Sequence, residues 1–228
     1  SNGLTFDAND SLVMADHGNR LIARLNEGTF TKTTLVDRYQ GKRLNSPNDL
    51  VYRSSGDLYF TDPPYGLFGL NADSAKELDY NGVYRLTSSG ELTLLTKELT
   101  FPNGIAFSPD EKTLYVANSD TAKAIWMAYD VQSDGTISGG RVLFDATSLA
   151  RAGKKGLPDG MKVDRSGNIF AGGPGGVLIL SPEGRHLGTI DTGQPTANCA
   201  FGDDGSTLYM TANDQLLRVR LKTKGAGF

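Results

Sequence analysis

Cysteine is nearly absent from this chain of 228 residues: Cys199 stands alone, so no disulfide can staple the fold, and only two histidines are present. A structural zinc site, which needs a Cys/His cluster, is thereby excluded. No apolar run approaches the ~20 residues of a membrane-spanning helix, which argues against a membrane partner. Charge is nearly balanced, with 23 basic against 26 acidic residues and a net charge of −3. Lacking a basic stripe to neutralise phosphates, the chain is not expected to bind nucleic acid. No Gly-rich stretch is followed by the Lys and Ser or Thr of a phosphate loop, and Ser1, Ser46 and Ser119 lack the His and Asp framework of a nucleophilic triad. What is abundant is turn chemistry, Gly 28 and Pro 9, the composition of a soluble all-β chain. The compartment is left open between cytoplasmic and periplasmic, and the oligomeric state is not encoded in any pattern.

The chain repeats one phrase five times: NGLTFDANDSLVMAD from Asn2, NDLVYRSSGDLYFTD from Asn48, NGIAFSPDEKTLYVAN from Asn103, DGMKVDRSGNIFAGG from Asp159 and NCAFGDDGSTLYMTAND from Asn198. Each copy opens on Asn or Asp, continues as an apolar strand, turns through polar residues and returns as a second strand, which is a β-hairpin. The starts are 46, 55, 56 and 39 residues apart, a mean of 49, the period of a propeller blade. Two further strands fit after most hairpins, so a blade of four antiparallel strands is expected. Strands such as Leu58-Tyr59-Phe60 are apolar on both faces because neighbouring blades sandwich them. The whole chain, 1–228, is read as one propeller domain of about five repeats, with KTKGAGF after Leu221 as a flexible end.

In an antiparallel hairpin the start of the first strand and the end of the second share one end of the sheet. Asn2, Asn48, Asn103, Asp159 and Asn198 are therefore expected on one face of the ring, joined by Asp16, His17, Asp62, Asn118, Asp120 and Gly172. The longest insertion, PPYGLFGLNADSAKELDYNG after Asp62, would overhang that face with Tyr65, Phe68 and Leu70, and loops of this length are usually functional. A ring of amide and carboxylate oxygens suits a hard cation. Equally, Asn-Gly and Asp-Gly are ordinary turn residues, each able to do no more than hold its own loop. GGPGG from Gly172 reads as a tight strand crossing, Arg151, Lys154 and Lys155 as a solvated basic loop, Trp126 as core, and Cys199 as a buried small hydrophobe.

GKRLNSPNDLVYRSSGDLYFTDPPYG, FPNGIAFSPDEKTLYVAN and LPDGMKVDRSGNIFAGG together resemble the gluconolactonase branch of the senescence marker protein, gluconolactonase and luciferin-regenerating enzyme-like family, and the likeness runs through essentially all 228 residues. The resemblance implies a six-bladed β-propeller that opens sugar lactones with one axial divalent cation held by a Glu, an Asn and an Asp. It carries the Asn to Asn103 and the Asp to Asp159. Asn48 matches a residue that contacts substrate or completes the metal site. The family's Glu lies in a first-blade phrase that this sequence does not contain, so the first blade is expected to be missing or incomplete and activity to need it. Ser46 stands where the animal branch has an Arg.

On this reading Asp159 serves as metal ligand and general base, and Asn103 and Asn48 complete the metal set. Asn48, Tyr65, His17 and Asp62 contact the sugar. The cation is Ca2+ first, with Mg2+, Zn2+ and Mn2+ as alternatives. Two rivals remain: a lactonase for non-sugar lactones, with Tyr65, Phe68 and Leu70 as an apolar groove, and a non-catalytic propeller serving as an interaction platform.

Overall fold

Each repeat begins a strand that pairs back on the next, and the computed structural model, which describes all 228 residues, turns the five repeats into five antiparallel sheets. The first comprises Leu4–Phe6, Leu12–Asp16, Leu21–Leu25 and Lys32–Val36, and the second Leu50–Tyr52, Leu58–Asp62, Gly82–Leu86 and Leu92–Thr96. The third comprises Pro102–Phe107, Thr113–Asp120, Lys123–Val131 and Ile137–Asp145, and the fourth Met161–Val163, Ile169–Gly173, Gly176–Leu180 and His186–Ile190. The last has three strands, Thr196–Gly202, Thr207–Ala212 and Gln215–Arg220, rather than the expected four. Sequential strands are spatial neighbours throughout, the up-and-down order of propeller blades. The architecture is an all-β propeller type with five blades in this chain, not six.

The polar turns owe their shape to side chains that imitate backbone. Asp7 accepts the N–H groups of Asn9 and Ser11, Asp164 those of Ser166 and Asn168, and Asp204 that of Ser206. Such bonds let the chain reverse within a few residues. The second strands of the second and fourth sheets are enclosed on both faces, as expected: every residue of Leu58–Asp62 and of Ile169–Gly173 is buried.

Two compact units divide the chain, Ser1–Ile105 and Ala106–Phe228. The core of the first is built from Val13, Ile22, Leu44, Leu58, Phe60 and Tyr84, with the Phe60 and Tyr84 rings stacked at 5.3 Å. The second has one core around Trp126, Met161, Ile169 and Leu178, and another around Phe170, Cys199, Leu208 and Met210. Trp126 is fully buried and Cys199 nearly so, both as expected. The GGPGG crossing also holds: a Cβ at Gly173 would sit 2.7 Å from the Trp126 ring, and one at Gly172 2.5 Å from the Thr196 carbonyl.

The tail after Leu221 is not a loose end. Gly225 bridges to Asp164, its N–H bonds the Gly205 carbonyl at 3.0 Å, and Ala226 N–H bonds Val163 O at 3.0 Å. Two glycines admit this contact, since side chains at Gly225 and Gly205 would strike Phe201 and Phe228.

Candidate functional site

In the first unit the candidate residues gather where first strands begin and second strands end, and Thr61 joins them. Asn48 donates its N–H to the Thr61 carbonyl at 2.9 Å, and Asp49 donates its N–H to the Thr61 hydroxyl at 3.2 Å. That hydroxyl donates in turn to the Asn103 carbonyl at 2.7 Å. One threonine thus sets the starts of two first strands side by side. Asn48 and Asn103 are both buried, and Asn103 Oδ1 is enclosed with no hydrogen-bond partner. Leaving such an acceptor unpaired costs on the order of 1–3 kcal/mol, and a cation that seeks oxygen donors would relieve it.

Asp49 is a residue that sequence reasoning passed over. Its Oδ1 accepts the Leu50 N–H at 3.0 Å and its Oδ2 the Ile105 N–H at 3.3 Å, so its buried carboxylate bonds the backbone two residues beyond Asn103. The signal was its place in the repeat: three of the other copies carry Gly at this second position, and only this one is acidic.

Asp62, expected at the sugar, is instead fully enclosed. Its two carboxylate oxygens accept the N–H groups of Asn45 at 2.7 Å and Ser46 at 2.8 Å, and Asn45 returns a bond to the Asp62 carbonyl at 3.0 Å. Burial pushes this carboxyl up to about 7, against the pull of those two donors. Asp62 therefore clamps the loop before Asn48, which withdraws it from the surface a substrate could touch. Asp16 is likewise committed: burial raises its carboxyl, but bonds from Lys32 Nζ at 2.7 Å and Asn19 outweigh this and hold it below the usual range.

The long insertion folds down onto its own unit. Arg20 bonds the Leu44 carbonyl through Nε and the Ala75 carbonyl through Nη1, both at 2.8 Å. Ser46 Oγ donates to Pro63 O at 2.6 Å and accepts the Gly66 N–H at 2.8 Å. A Cβ at Gly66 would lie 2.8 Å from the His17 ring, so His17 and the insertion touch. His17 is half-buried with its Nδ1 unpartnered, and Tyr65 stacks on Phe101 at 5.6 Å. Phe68 stands fully exposed and Leu70 partly so.

In the second unit Asp159 lines a cavity of about 690 Å³. Its N–H bonds the Gly172 carbonyl at 2.9 Å, its carboxylate accepts the Gly160 N–H at 3.0 Å, and the residue is half-buried. Ser119, Thr121, Thr211 and Asn213 add hydroxyls and an amide, while Arg151 and Lys154 supply positive charge. Asn198 seats its amide over Gly160, where a Cβ would collide with it at 2.2 Å; this close approach accounts for the Gly of the Pro-Asp-Gly phrase. Asn118 and Asp120, by contrast, hold their own hairpin: Asn118 Nδ2 bonds Lys123 O at 2.9 Å, and Asp120 accepts the Ala122 N–H at 2.8 Å. No three His, Cys, Asp or Glu side chains cluster as a metal site. The oxygen donors nominated by sequence are two amides in the first unit, Asn48 and Asn103, and one carboxylate in the second, Asp159.

Comparison with known proteins agrees with these features. The family described as the SMP-30/Gluconolactonase/LRE-like region matches residues 1–214. A gluconolactonase of Zymomonas mobilis is 45% identical across 99% of this chain, which spans 64% of that protein's length. The solved gluconolactonase XC5397 of Xanthomonas campestris is 37% identical and superposes with a TM-score of 0.86, over 96% of this chain and 71% of the other. Regucalcin of Agrobacterium tumefaciens, a calcium-binding protein 21% identical, shares the fold with a TM-score of 0.59 over 98% of this chain and 90% of its own.

Proposed function

The chain belongs to the SMP-30/gluconolactonase/LRE-like family, and we propose that it opens sugar lactones to aldonic acids as a metal-dependent hydrolase. The observation that carries this reading is the half-buried Asp159 carboxylate inside a cavity whose wall mixes hydroxyl and amide groups with the apolar Ala150, Leu157 and Pro195. That volume falls within the roughly 300–1,000 Å³ of small-molecule sites, and the lining offers partners for the hydroxyls of a sugar.

A lactone is a cyclic ester. Water adds to its carbonyl carbon, the ring C–O bond breaks, and the departing ring oxygen takes up a proton. Asp159 accepts the proton of the attacking water, a role worth roughly 10²- to 10⁴-fold in rate. Tyr65 in the insertion and His17 beside it orient the sugar. Asn48 either joins them or completes the cation site. Asn103, Asp159 and Asn48 are the residues that would hold a divalent cation, with Ca2+ first for an all-oxygen donor set and Mg2+, Zn2+ or Mn2+ as alternatives. When bound, such an ion supplies a Lewis acid for the carbonyl and acidifies water.

The unpartnered Asn103 Oδ1 supports a cation at this position. Asn103→Ala is expected to lower bound metal, read by elemental analysis, together with lactone turnover. The loss should exceed the roughly 10- to 100-fold that follows removal of an outer-shell partner. Undiminished turnover by protein that elemental analysis shows to be metal-free would remove the cation from the mechanism.

A further inference from the structure

The cavity that holds Asp159 carries two cations that lactone opening does not require. Arg151 ends the short helix Thr147–Arg151, and Lys154 follows in the loop behind it; both are exposed and both line the cavity. Neither stands in any of the ion pairs of the structure. Other acids stand near them without pairing. Asp145 feels Arg151, although bonds from Thr147 do most to hold its carboxyl low. Asp191 shares with Lys154 a smaller neighbouring cavity of about 220 Å³. Lys155 is already committed, its Nζ donating to the Gly193 carbonyl at 3.1 Å. The balance on the cavity lining is therefore two positive charges against the single carboxylate of Asp159.

A neutral sugar lactone has no use for that excess. Two unpaired cations at the rim of a partly enclosed site raise the local concentration of anions and favour their binding. Asp159 is the more enclosed group, so the reacting carbonyl belongs beside it and the remote end of the sugar toward the rim. We propose that Arg151 and Lys154 form an anion-selecting rim, and that the preferred substrates are sugar lactones bearing a second, ionised acid group at the end distant from the carbonyl, such as a phosphate, sulfonate or carboxylate. This assignment rests on the lactonase reading for the identity of the ring, but anion recognition itself is testable without turnover. The same cations could meet the carboxylate released on ring opening, and the probes must separate the two sources.

Three inert probes do so in calorimetric titrations at low ionic strength. Sorbitol carries neither acid, gluconate carries only the product carboxylate, and sorbitol 6-phosphate carries only the remote anion. The expected result is that sorbitol 6-phosphate binds the parent at least roughly tenfold tighter than sorbitol, an advantage that shrinks as salt approaches 0.5 M. Arg151→Gln/Lys154→Gln should abolish most of the advantage, and Arg151→Lys, which leaves both positive charges in place, should keep most of it. Both positions are exposed, so the folded fraction is checked simply by the melting midpoint. Equal binding of sorbitol and sorbitol 6-phosphate overturns the proposal, as does an advantage that survives the double substitution. A gain for gluconate alone assigns the cations to the product carboxylate and also overturns it. Failure of the lactonase reading looks different: the phosphate advantage persists while the parent hydrolyses neither gluconolactone nor its 6-phosphate.

Discussion

Asp62 is the residue whose charge the fold opposes. Burial raises its carboxyl to about 7 while the Asn45 and Ser46 N–H groups resist. A folded pKa above the unfolded value of about 3.9 means the folded protein holds a proton that the unfolded chain releases. The stability from this group is thus fully present below about pH 4 and is lost as pH rises to about 7. Asp16 and Asp57 act in the opposite sense. Burial raises each, but bonds from Lys32 and Asn19 to Asp16, and from Arg85 to Asp57, leave both below the usual range, so their contribution is present above about pH 4 and lost as pH falls further. Urea unfolding of the parent and of Asp62→Asn at pH 5 and pH 7.5 separates the terms. The parent should lose about 2 kcal/mol relative to the variant over that interval; a constant difference would return Asp62 to an ordinary carboxylate. Sequence could not have shown this. An Asp at a strand end looks the same whether it faces solvent or a pair of N–H donors, and here the donors come from a loop that lies earlier in the chain.

At the scale of elements, the insertion after Asp62 was legible by its length, but what anchors it was not. Arg20 stands in the turn after the second strand of the first sheet, and its guanidinium reaches the Leu44 and Ala75 carbonyls. Hydrogen bonds from a charged group contribute about 1.5–3 kcal/mol each. Arg20→Met, which keeps the aliphatic stem, should therefore speed amide exchange across residues 70–80 by roughly 10- to 100-fold while exchange in the fourth sheet stays as it was. Unchanged exchange in the insertion would assign its order instead to the Ser46 contacts and to Lys76, whose Nζ donates to the Leu78 and Tyr80 carbonyls. The tail was misread for a related reason. KTKGAGF has the composition of a flexible end, yet small residues are what let it lie against Asp164 and Gly205. Removing residues 223–228 breaks backbone bonds at Arg165, Gly225 and Ala226, and should lower the melting midpoint by on the order of 5 °C. No shift would restore the flexible reading.

At the scale of the whole molecule, the repeat carried most of the fold. Its period foretold blade-type sheets, and its alternation of Asn or Asp, apolar strand and polar turn placed the hairpins. The number of strands in the last sheet escaped it, because QLLRVR closes that sheet as an edge strand with Leu216 exposed. The candidate site was legible in part. Asn48, Asn103 and Asp159 were nominated by position in the repeat, whereas the cavity beside Asp159 draws on residues scattered from Ser119 to Asn213, most of them between the repeated phrases. Asp159 as the proton acceptor is the pivot of the proposed lactone opening. The decisive measurement is the rate of glucono-1,5-lactone hydrolysis by the parent and by Asp159→Asn, at matched metal content and matched melting midpoint. The predicted result is a fall in turnover of roughly 10²- to 10⁴-fold; equal rates from the two proteins would contradict it.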